Sequence, residues 1–303
     1  MSGSLFNPLG LSRRQFLKTS GLLLGAAHLP ASFAAPITAT PRVAALEWAA
    51  VEMLAILGLA PVAVSDKQGY RDWVSAPPLS PQVTELGLRS EPNLELLAGL
   101  KPDLLILPQQ AALPTDRLEK IAPLWQYPFI TQQHGPLPQA RNNILSLAQR
   151  LQRHAQATAW LQSYGLQQQQ FQQQFRAQRG TRVLMFTLMT PRQALVLTAD
   201  SLFGQVLTEC GLHCAWQGAT SVWGSVIVGI EQLLTCETDL AVMFSHDNDQ
   251  LLQSLPHSPL WQQMPFVRQQ RCYTLPPVWM YGSLMSAQRF TSQLANVLRR
   301  ENA

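Results

Sequence analysis

Short apolar runs and amphipathic stretches alternate along the first half of the chain. Apolar runs of strand length lie at 42–46, 61–64 and 104–107, and stretches of helical periodicity lie at 49–57 and 93–100. Strands that alternate with helices predict a parallel or mixed sheet with helices covering both faces.

A second set of the same kind occupies the C-terminal part. Strands are predicted at 182–188, 194–197, 240–244 and 271–275, and a last helix at 282–300. Between the two sets lies a glutamine-rich stretch at 156–178, a composition that also occurs in disordered segments. Its aromatic side chains form an intermittent apolar stripe at helical spacing, at Trp160, Tyr164, Phe171 and Phe175. Because no Gly or Pro intervenes between Gly165 and Gly180, we expect a long, mostly solvated helix.

This organisation predicts four parts: a leader at 1–34, an N-terminal α/β lobe at 35–154, a connecting helix at 155–179 and a C-terminal α/β lobe at 180–303. A faint repeat supports two lobes of related construction, because Glu95 precedes an Asp-Leu pair at 103–104 by the spacing that separates Glu231 from the pair at 239–240. In each copy we expect the Glu to start a short helix and the Asp-Leu pair to begin a buried strand. A cleft is predicted between the lobes.

The leader has the layout of an export signal. The heptad Ser12-Arg13-Arg14-Gln15-Phe16-Leu17-Lys18 precedes a modest apolar stretch, and small residues around Phe33 permit cleavage after Ala34. The pair Arg13 and Arg14 favours a twin-arginine signal over an ordinary secretory leader or the basic N-terminus of a cytoplasmic protein. The apolar stretch is shorter than the roughly 20 residues that span a bilayer. We therefore expect a soluble, exported mature protein.

Composition limits the possible partners. With 47% hydrophobic and 13% charged residues, the chain can bury a core large enough for one big domain or two lobes. The net charge of +4 includes three basic residues and no acidic residue at 1–34, so the rest of the chain carries +1. Without a clustered basic face, a nucleic-acid partner is not expected.

The sequence offers neither an evident catalytic motif nor a metal site. Its cysteines are too sparse for a disulfide framework, and the run from Cys210 to Cys214 has no second ligand pair at a suitable spacing, so buried thiols or one incidental disulfide are expected. The run Ser245-His246-Asp247-Asn248-Asp249 follows a predicted strand. A helix N-cap is favoured there over a metal-binding loop.

Aromatic residues stand out by their position rather than their number. Several lie in predicted connections after strand ends, where α/β folds bind ligands. They are Tyr70, Trp73, Trp216, Trp223, Trp279 and Tyr281. As a group they predict the lining of a cleft. Arg89 lies in a loop before a predicted helix, and is either a surface charge or a rigid donor for polarised oxygens of a ligand.

Several motifs in both lobes carry a family resemblance. They are Val43-Ala44-Ala45-Leu46-Glu47-Trp48, Tyr70-Arg71-Asp72-Trp73-Val74-Ser75-Ala76-Pro77-Pro78-Leu79, Gly87-Leu88-Arg89-Ser90-Glu91-Pro92-Asn93-Leu94-Glu95, Ala215-Trp216-Gln217-Gly218, Trp223-Gly224-Ser225, His246-Asp247-Asn248 and Pro276-Pro277-Val278-Trp279-Met280-Tyr281-Gly282. In them the chain resembles the periplasmic ferric hydroxamate siderophore-binding proteins of Gram-negative bacteria. The resemblance implies a class III periplasmic binding protein fold, two lobes joined by one long α-helix, and no enzymatic activity.

The resemblance also implies roles for individual residues. Arg89 matches the arginine that donates hydrogen bonds to the hydroxamate oxygens. The aromatic pocket corresponds to Trp73, Trp223, Trp279 and Tyr281, with Trp48 and Ser225 as weaker matches. Glu95 and Glu231 match the acidic residues that dock on an inner-membrane ABC permease, although solvated acids at helix starts have the same pattern. The expected partners are a ferric siderophore and the permease with its ATPase; the expected state is a periplasmic monomer with no cofactor and no metal ligands of its own.

One stretch departs from the family. A tyrosine donor is expected after the strand at 104–107, where this chain has Gln109 and Gln110. Either glutamine could replace that donor. Within the class, a haem, cobalamin or catecholate-siderophore binding protein is the alternative, although a catecholate complex calls for more basic residues than Arg89. An exported oxidoreductase is a more distant alternative, and the missing cofactor motif argues against it.

Overall fold

The structure is a computed structural model that describes residues 40–246 and 249–301. The strands are β1 Val43–Ala45, β2 Ala63–Val64, β3 Thr84–Glu85, β4 Gly87–Leu88, β5 Glu91–Pro92, β6 Leu104–Pro108, β7 Leu124–Tyr127, β8 Arg182–Thr190, β9 Gln193–Leu197, β10 His213–Cys214, β11 Ser225–Gly229, β12 Leu240–Phe244 and β13 Cys272–Leu275. The helices are α1 Trp48–Ile56, α2 Lys67–Trp73, α3 Leu94–Gly99, α4 Thr115–Leu118, α5 Pro136–Arg150, α6 His154–Gln174, α7 Leu202–Glu209, α8 Asp249–Ser254, α9 Pro259–Gln262, α10 Pro265–Arg268 and α11 Leu284–Glu301. The predicted leader, with Arg13 and Arg14, lies outside the described residues, as do Asp247 and Asn248.

The strands form two large sheets of different construction and a separate two-stranded pair, β4 with β5; β10 joins the second large sheet beside β8. The first is parallel throughout, in the order β3-β2-β1-β6-β7. The second has the order β11-β9-β8-β12-β13 and is mixed, because β9 pairs antiparallel with both β8 and β11. Strands β1 and β12 are buried along their whole length, which explains why they read as continuous apolar runs. The prediction of two α/β lobes is confirmed.

The faint sequence repeat corresponds to the same contact in both sheets. The backbone N–H of Arg42, before β1, donates to Asp103 Oδ2 at 2.7 Å, and the backbone N–H of Arg182, at the start of β8, donates to Asp239 Oδ2 at 2.7 Å. In return each aspartate N–H donates to the carbonyl of its arginine. The Asp-Leu pairs therefore begin equivalent strands, β6 and β12, and fix them beside the first strand of each sheet.

Helix α6 leads from the first lobe to β8 of the second. Its aromatic stripe is packed in pairs, with ring centroids 5.4 Å apart for Trp160 and Tyr164 and 5.8 Å apart for Phe171 and Phe175. Most other residues of the helix are exposed, as the glutamine-rich composition predicts. A short 3₁₀ turn at Arg176–Gln178 follows it.

One expectation about local structure is wrong. Tyr70 and Trp73 lie in helix α2 and not in a loop, because the Asp66 side chain caps that helix by accepting from the N–H of Gly69 at 2.9 Å. Of the two alternatives expected for the cysteines, the structure has thiols and not a disulfide: all four are free, Cys210 and Cys214 buried and Cys236 and Cys272 partly buried.

Candidate functional site

A cavity of about 380 Å³ lies between the two lobes at the carboxyl ends of β1, β6 and β7. Parallel strands that end together leave such a crevice, which is where open α/β sheets bind ligands. The cavity is lined by Leu46, Glu47, Arg89, Ser90, Pro108, Gln110, Ala111, Ala112, Leu113, Tyr127, Phe129, Trp223, Trp279 and Tyr281. Its surface is therefore mostly apolar, with a few convergent polar groups.

Arg89 projects from the turn between the short antiparallel strands β4 and β5. Its guanidinium carbon lies 3.6 Å from the centroid of the Trp48 ring and 5.3 Å from that of Trp279. Nη1 donates to Glu47 Oε1 at 3.0 Å, and Nε lies 3.8 Å from Asp66 Oδ2. Stacking and ion pairing together hold the guanidinium at the edge of the cavity.

Glu47 follows β1 and caps helix α1, where its Oε2 accepts from the backbone N–H of Ala49 at 2.7 Å. The same oxygen accepts from the Tyr127 hydroxyl at 3.3 Å. Burial, and then the nearby Glu47 carboxylate, raises the pKa of Tyr127 well above its ordinary value. Tyr127 is therefore a neutral phenol that keeps its proton for hydrogen bonding.

Aromatic rings from both lobes form a continuous wall. Trp279 lies 4.8 Å from Trp48 and 5.2 Å from Tyr281 between ring centroids, both in edge-to-face geometry. Tyr281 lies 5.7 Å from Trp223, which in turn lies 5.5 Å from Phe129 of the first lobe. The wall thus joins the two lobes across the cavity.

Gly224 sets the direction of Trp223. Its φ of +70° is a left-handed conformation that favours glycine, and a Cβ there would lie 2.4 Å from the Cα of Ser201. Immediately after it, the Ser225 hydroxyl lies 2.8 Å from the Tyr281 hydroxyl. The turn therefore places an indole ring and a hydroxyl partner on the same side of the cavity.

The structure separates the predicted site residues into three groups. Arg89, Trp223, Trp279 and Tyr281 line the cavity. Trp48 and Ser225 are buried beside it, in contact with lining side chains. Trp73 lies one layer away, 6.1 Å from Trp279 and stacked at 3.6 Å on His246.

The cleft prediction is wrong for three of the six aromatic residues, which are Trp73, as described above, Trp216 and Tyr70. The Trp216 indole N–H donates to the carbonyl of Ala219 at 3.0 Å, and its ring lines a separate cavity beside Arg182. Tyr70 is buried in the core and donates to the carbonyl of Pro77 at 2.5 Å. A position after a strand end does not distinguish these rings from lining rings.

Several lining residues were not predicted. Glu47, Tyr127 and Phe129 all lie at or just after the carboxyl ends of first-sheet strands. The position of Glu47 directly after the predicted strand at 42–46 was the available signal. Of the two glutamines in the departing stretch, Gln110 lines the cavity and Gln109 is not among its lining residues.

Glu95 and Glu231 lie apart from the cavity lining and are both exposed. Glu95 is in the first turn of α3, and Glu231 is in the first turn of a 3₁₀ helix at Ile230–Thr235. The two copies of the repeat therefore start helical turns, but of different kinds.

A family model described as periplasmic binding protein matches residues 43–278. The iron(3+)-hydroxamate-binding protein FhuD of Escherichia coli K12 is 38% identical over 95% of this chain and 97% of its own length. The chain belongs to the periplasmic binding protein family. Its predicted class III fold, with two lobes joined by one long helix, is confirmed by this membership.

Other members of the periplasmic binding protein family extend the likeness. The achromobactin-binding periplasmic protein of Dickeya dadantii is 25% identical over 95% of this chain and 96% of its own length. The crystal structure of the siderophore-binding protein FhuD of Vibrio cholerae with bound Fe³⁺-Desferal matches with a TM-score of 0.77 and 28% identity, over 86% of this chain and 99% of that one. These relatives are binding proteins by name.

Within 40–246 and 249–301, no helix is both long enough and apolar enough to cross a membrane. In the same ranges, His, Cys, Asp and Glu side chains form no cluster of three or more suited to a metal ion.

Proposed function

We propose that this protein binds ferric hydroxamate siderophores in the interlobe cavity and delivers them to an inner-membrane ABC permease for iron uptake. The observation that supports this most is the cavity itself, an aromatic wall facing a stacked guanidinium, in a chain 38% identical to the hydroxamate-binding protein of E. coli. Its role is binding and not catalysis.

The chemistry of the ligand suits this lining. In a tris-hydroxamate complex, three singly charged hydroxamates neutralise Fe(III) and fill its octahedral coordination with their own oxygens. Such a ligand needs hydrogen-bond donors for its oxygens and apolar surface for its organic arms, and it needs no metal ligand from the protein. The iron is cargo and not a cofactor.

Each lining residue has a role in this proposal. Arg89 donates hydrogen bonds to the hydroxamate oxygens, and Gln110 supplies a further amide donor at the position where a tyrosine is expected. Tyr127 gives its single hydroxyl proton to Glu47 and so supports Arg89 through that carboxylate. Trp223, Trp279 and Tyr281 pack against the siderophore arms. Trp48, Trp73 and Ser225 hold these side chains in place from behind.

We propose the same division of the chain as before. Residues 1–34 are a twin-arginine signal that sends a monomeric protein to the periplasm, 35–154 and 180–303 are the lobes, and 155–179 is the connecting helix. A continuous helix that packs against helices of both lobes permits only small closing motions. Ligand capture should therefore change the shape of the protein modestly.

Permease docking is assigned to Glu95 and Glu231. Each is exposed on its own lobe, and an exposed apolar side chain is close to it in sequence, Leu96 directly after Glu95 and Ile227 four positions before Glu231. Paired acids and apolar groups on both lobes would let the permease contact the two halves of the cavity at once.

The experiment is uptake of radioactive iron by cells that lack the chromosomal copy of this chain. Cells complemented with the wild-type chain should take up iron from ferrichrome and from ferric desferrioxamine B. Complementation with a chain lacking 1–34 should give no uptake. Equal uptake in complemented and uncomplemented cells would reject the proposed function.

A further inference from the structure

The guanidinium in the cavity is not an unpaired cation. Arg89 has the Glu47 carboxylate at 3.0 Å and the Asp66 carboxylate at 3.8 Å. We propose that Glu47 is a positioning residue that fixes Arg89 for the ligand, and that it makes the cavity select ferric chelates without net negative charge. This inference rests on the function proposed above and adds a determinant of specificity to it.

The geometry puts Glu47 at the centre of the polar end of the cavity. Its Oε1 accepts from Arg89, and its Oε2 accepts from the Tyr127 hydroxyl. The two donors come from different elements, the β4–β5 turn and the end of β7. The carboxylate itself is anchored by the N–H of Ala49 at the start of α1. The Ala49 N–H and the Tyr127 hydroxyl therefore hold one carboxylate in place, and that carboxylate holds the Arg89 guanidinium.

The charges around the cavity point to the selectivity. Among the described lining residues, the charged side chains are Glu47 and Arg89. Asp66, behind Arg89, adds a second carboxylate, so one guanidinium faces two carboxylates. These groups leave one excess negative charge at the cavity. Because the cavity is partly desolvated, this charge repels a ligand with extra negative charge and attracts a pendant ammonium group. A neutral hydroxamate core is accepted because the remaining N–H groups of Arg89 bond its polarised oxygens.

Two other roles for Glu47 predict different results. If Arg89 alone made the cavity an anion receptor, removing the Glu47 charge would leave the order of ligands unchanged. If Glu47 served only as the helix cap, its loss would weaken all ligands by the same factor. A change in the ratio of affinities between differently charged chelates separates our proposal from both.

The experiment measures dissociation constants of the mature protein for ferrichrome, which is neutral, ferric desferrioxamine B, which carries a protonated amine, and ferric citrate, which is anionic. The readout is the ratio of the dissociation constant for ferric citrate to that for ferric desferrioxamine B. Glu47→Gln should lower this ratio by about tenfold. Glu47→Asp, which keeps the charge and a good cap, should retain the wild-type ratio, as should Glu119→Gln, an exposed residue outside the cavity lining.

An unchanged ratio in Glu47→Gln, or an equal loss for all three ligands, would overturn the inference. If that variant does not fold, Arg89→Gln takes its place, because uncompensated Glu47 should then raise the ratio, and an unchanged ratio would count against the proposal. Failure of the proposed function is distinct: the wild-type protein would bind neither hydroxamate, which also removes the inference.

Discussion

Glu52 in helix α1 accepts hydrogen bonds from the backbone N–H of Ser283 at 2.7 Å and from its hydroxyl at 2.9 Å, although the two residues are 231 positions apart. The other carboxylate oxygen accepts from the Ser286 hydroxyl at 2.5 Å. Helix α1 begins beside Glu47, and Ser283 directly follows the segment that carries Trp279 and Tyr281. The fully buried carboxylate therefore holds the two sides of the cavity together.

This buried group predicts a pH dependence of stability. Burial raises the pKa of Glu52 to about 7, although the hydrogen bonds from Ser283 and Ser286 and the charge of Arg289 act in the opposite direction and lower it. A folded-state pKa above the ordinary value means that the folded protein binds the extra proton. The stabilisation of the folded protein by protonated Glu52 is therefore complete below about pH 4.5. It is lost as the pH rises through about 7, which lowers the free energy of unfolding by up to about 3 kcal/mol.

Urea unfolding of the wild type and of Glu52→Gln over this pH range checks the prediction. The amide mimics the protonated acid, so the difference in unfolding free energy between the two proteins should change with pH in that window. Glu119→Gln is the control and should follow the wild type. A wild-type minus Glu52→Gln difference that is flat from pH 4.5 to 7 would contradict the assignment.

Arg89 is predicted to contribute directly to ligand binding. Arg89→Ala should weaken binding of ferric desferrioxamine B by about 1–3 kcal/mol, because a charge-assisted hydrogen bond in a partly desolvated cavity is lost. Arg89→Lys keeps the charge but not the planar group stacked on Trp48, and should recover only part of the loss. Calorimetric titration measures both, with the exposed Arg268→Ala as control. A wild-type dissociation constant for Arg89→Ala would make Arg89 a surface charge.

Removing the Tyr127 hydroxyl tests the polar end of the cavity, formed by Glu47, Arg89 and Tyr127, with a smaller change than Arg89→Ala. Tyr127→Phe keeps the ring, and should weaken hydroxamate binding by about 0.5–1.5 kcal/mol, because Glu47 loses one hydrogen bond and holds Arg89 less firmly. The matched control is Tyr164→Phe, a buried tyrosine of helix α6 outside the cavity lining, which should bind as the wild type does. The measurement compares the dissociation constants of the two variants for the same hydroxamate under the same conditions. Equal binding by both variants would show that the hydrogen bond from Tyr127 to Glu47 does not support Arg89.

The docking assignment predicts a separation between binding and uptake. The double variant Glu95→Ala, Glu231→Ala should bind ferric hydroxamates like the wild type and fail to support iron uptake in cells. Glu119→Ala controls for the loss of an exposed charge. The measurements are the dissociation constant of the purified protein and the rate of radioactive iron uptake. Normal uptake by the double variant would exclude these two residues as the docking contacts.

The sequence predicts buried strands well and short edge strands poorly. Strand β12 matches its predicted range, since all five of its residues are buried and read as one apolar run. Strands β3 and β7 were missed, because they are short and only one of their six residues is buried. Helix α2 was missed because Gly69 interrupts its pattern, while the cap from Asp66 depends on a left-handed residue with φ of 56°.

The candidate site was predicted in its aromatic half. Trp223, Trp279 and Tyr281 follow strand ends, and this signal is local. The arrangement of Arg89, Glu47 and Tyr127 depends on three separate elements that meet only in the folded chain, so the pattern of one sequence does not show which carboxylate meets the guanidinium.

The most direct test of the central claim is a tryptophan fluorescence titration of the purified mature protein with ferric desferrioxamine B and ferrichrome. Because indole rings line the cavity, a bound ferric chelate should quench the emission saturably, and the ferric-citrate titration should require higher concentrations. Iron-free desferrioxamine B is the control and should quench little. Saturable quenching by both ferric hydroxamates is the predicted result; emission that stays unchanged at high concentrations of both would contradict the account.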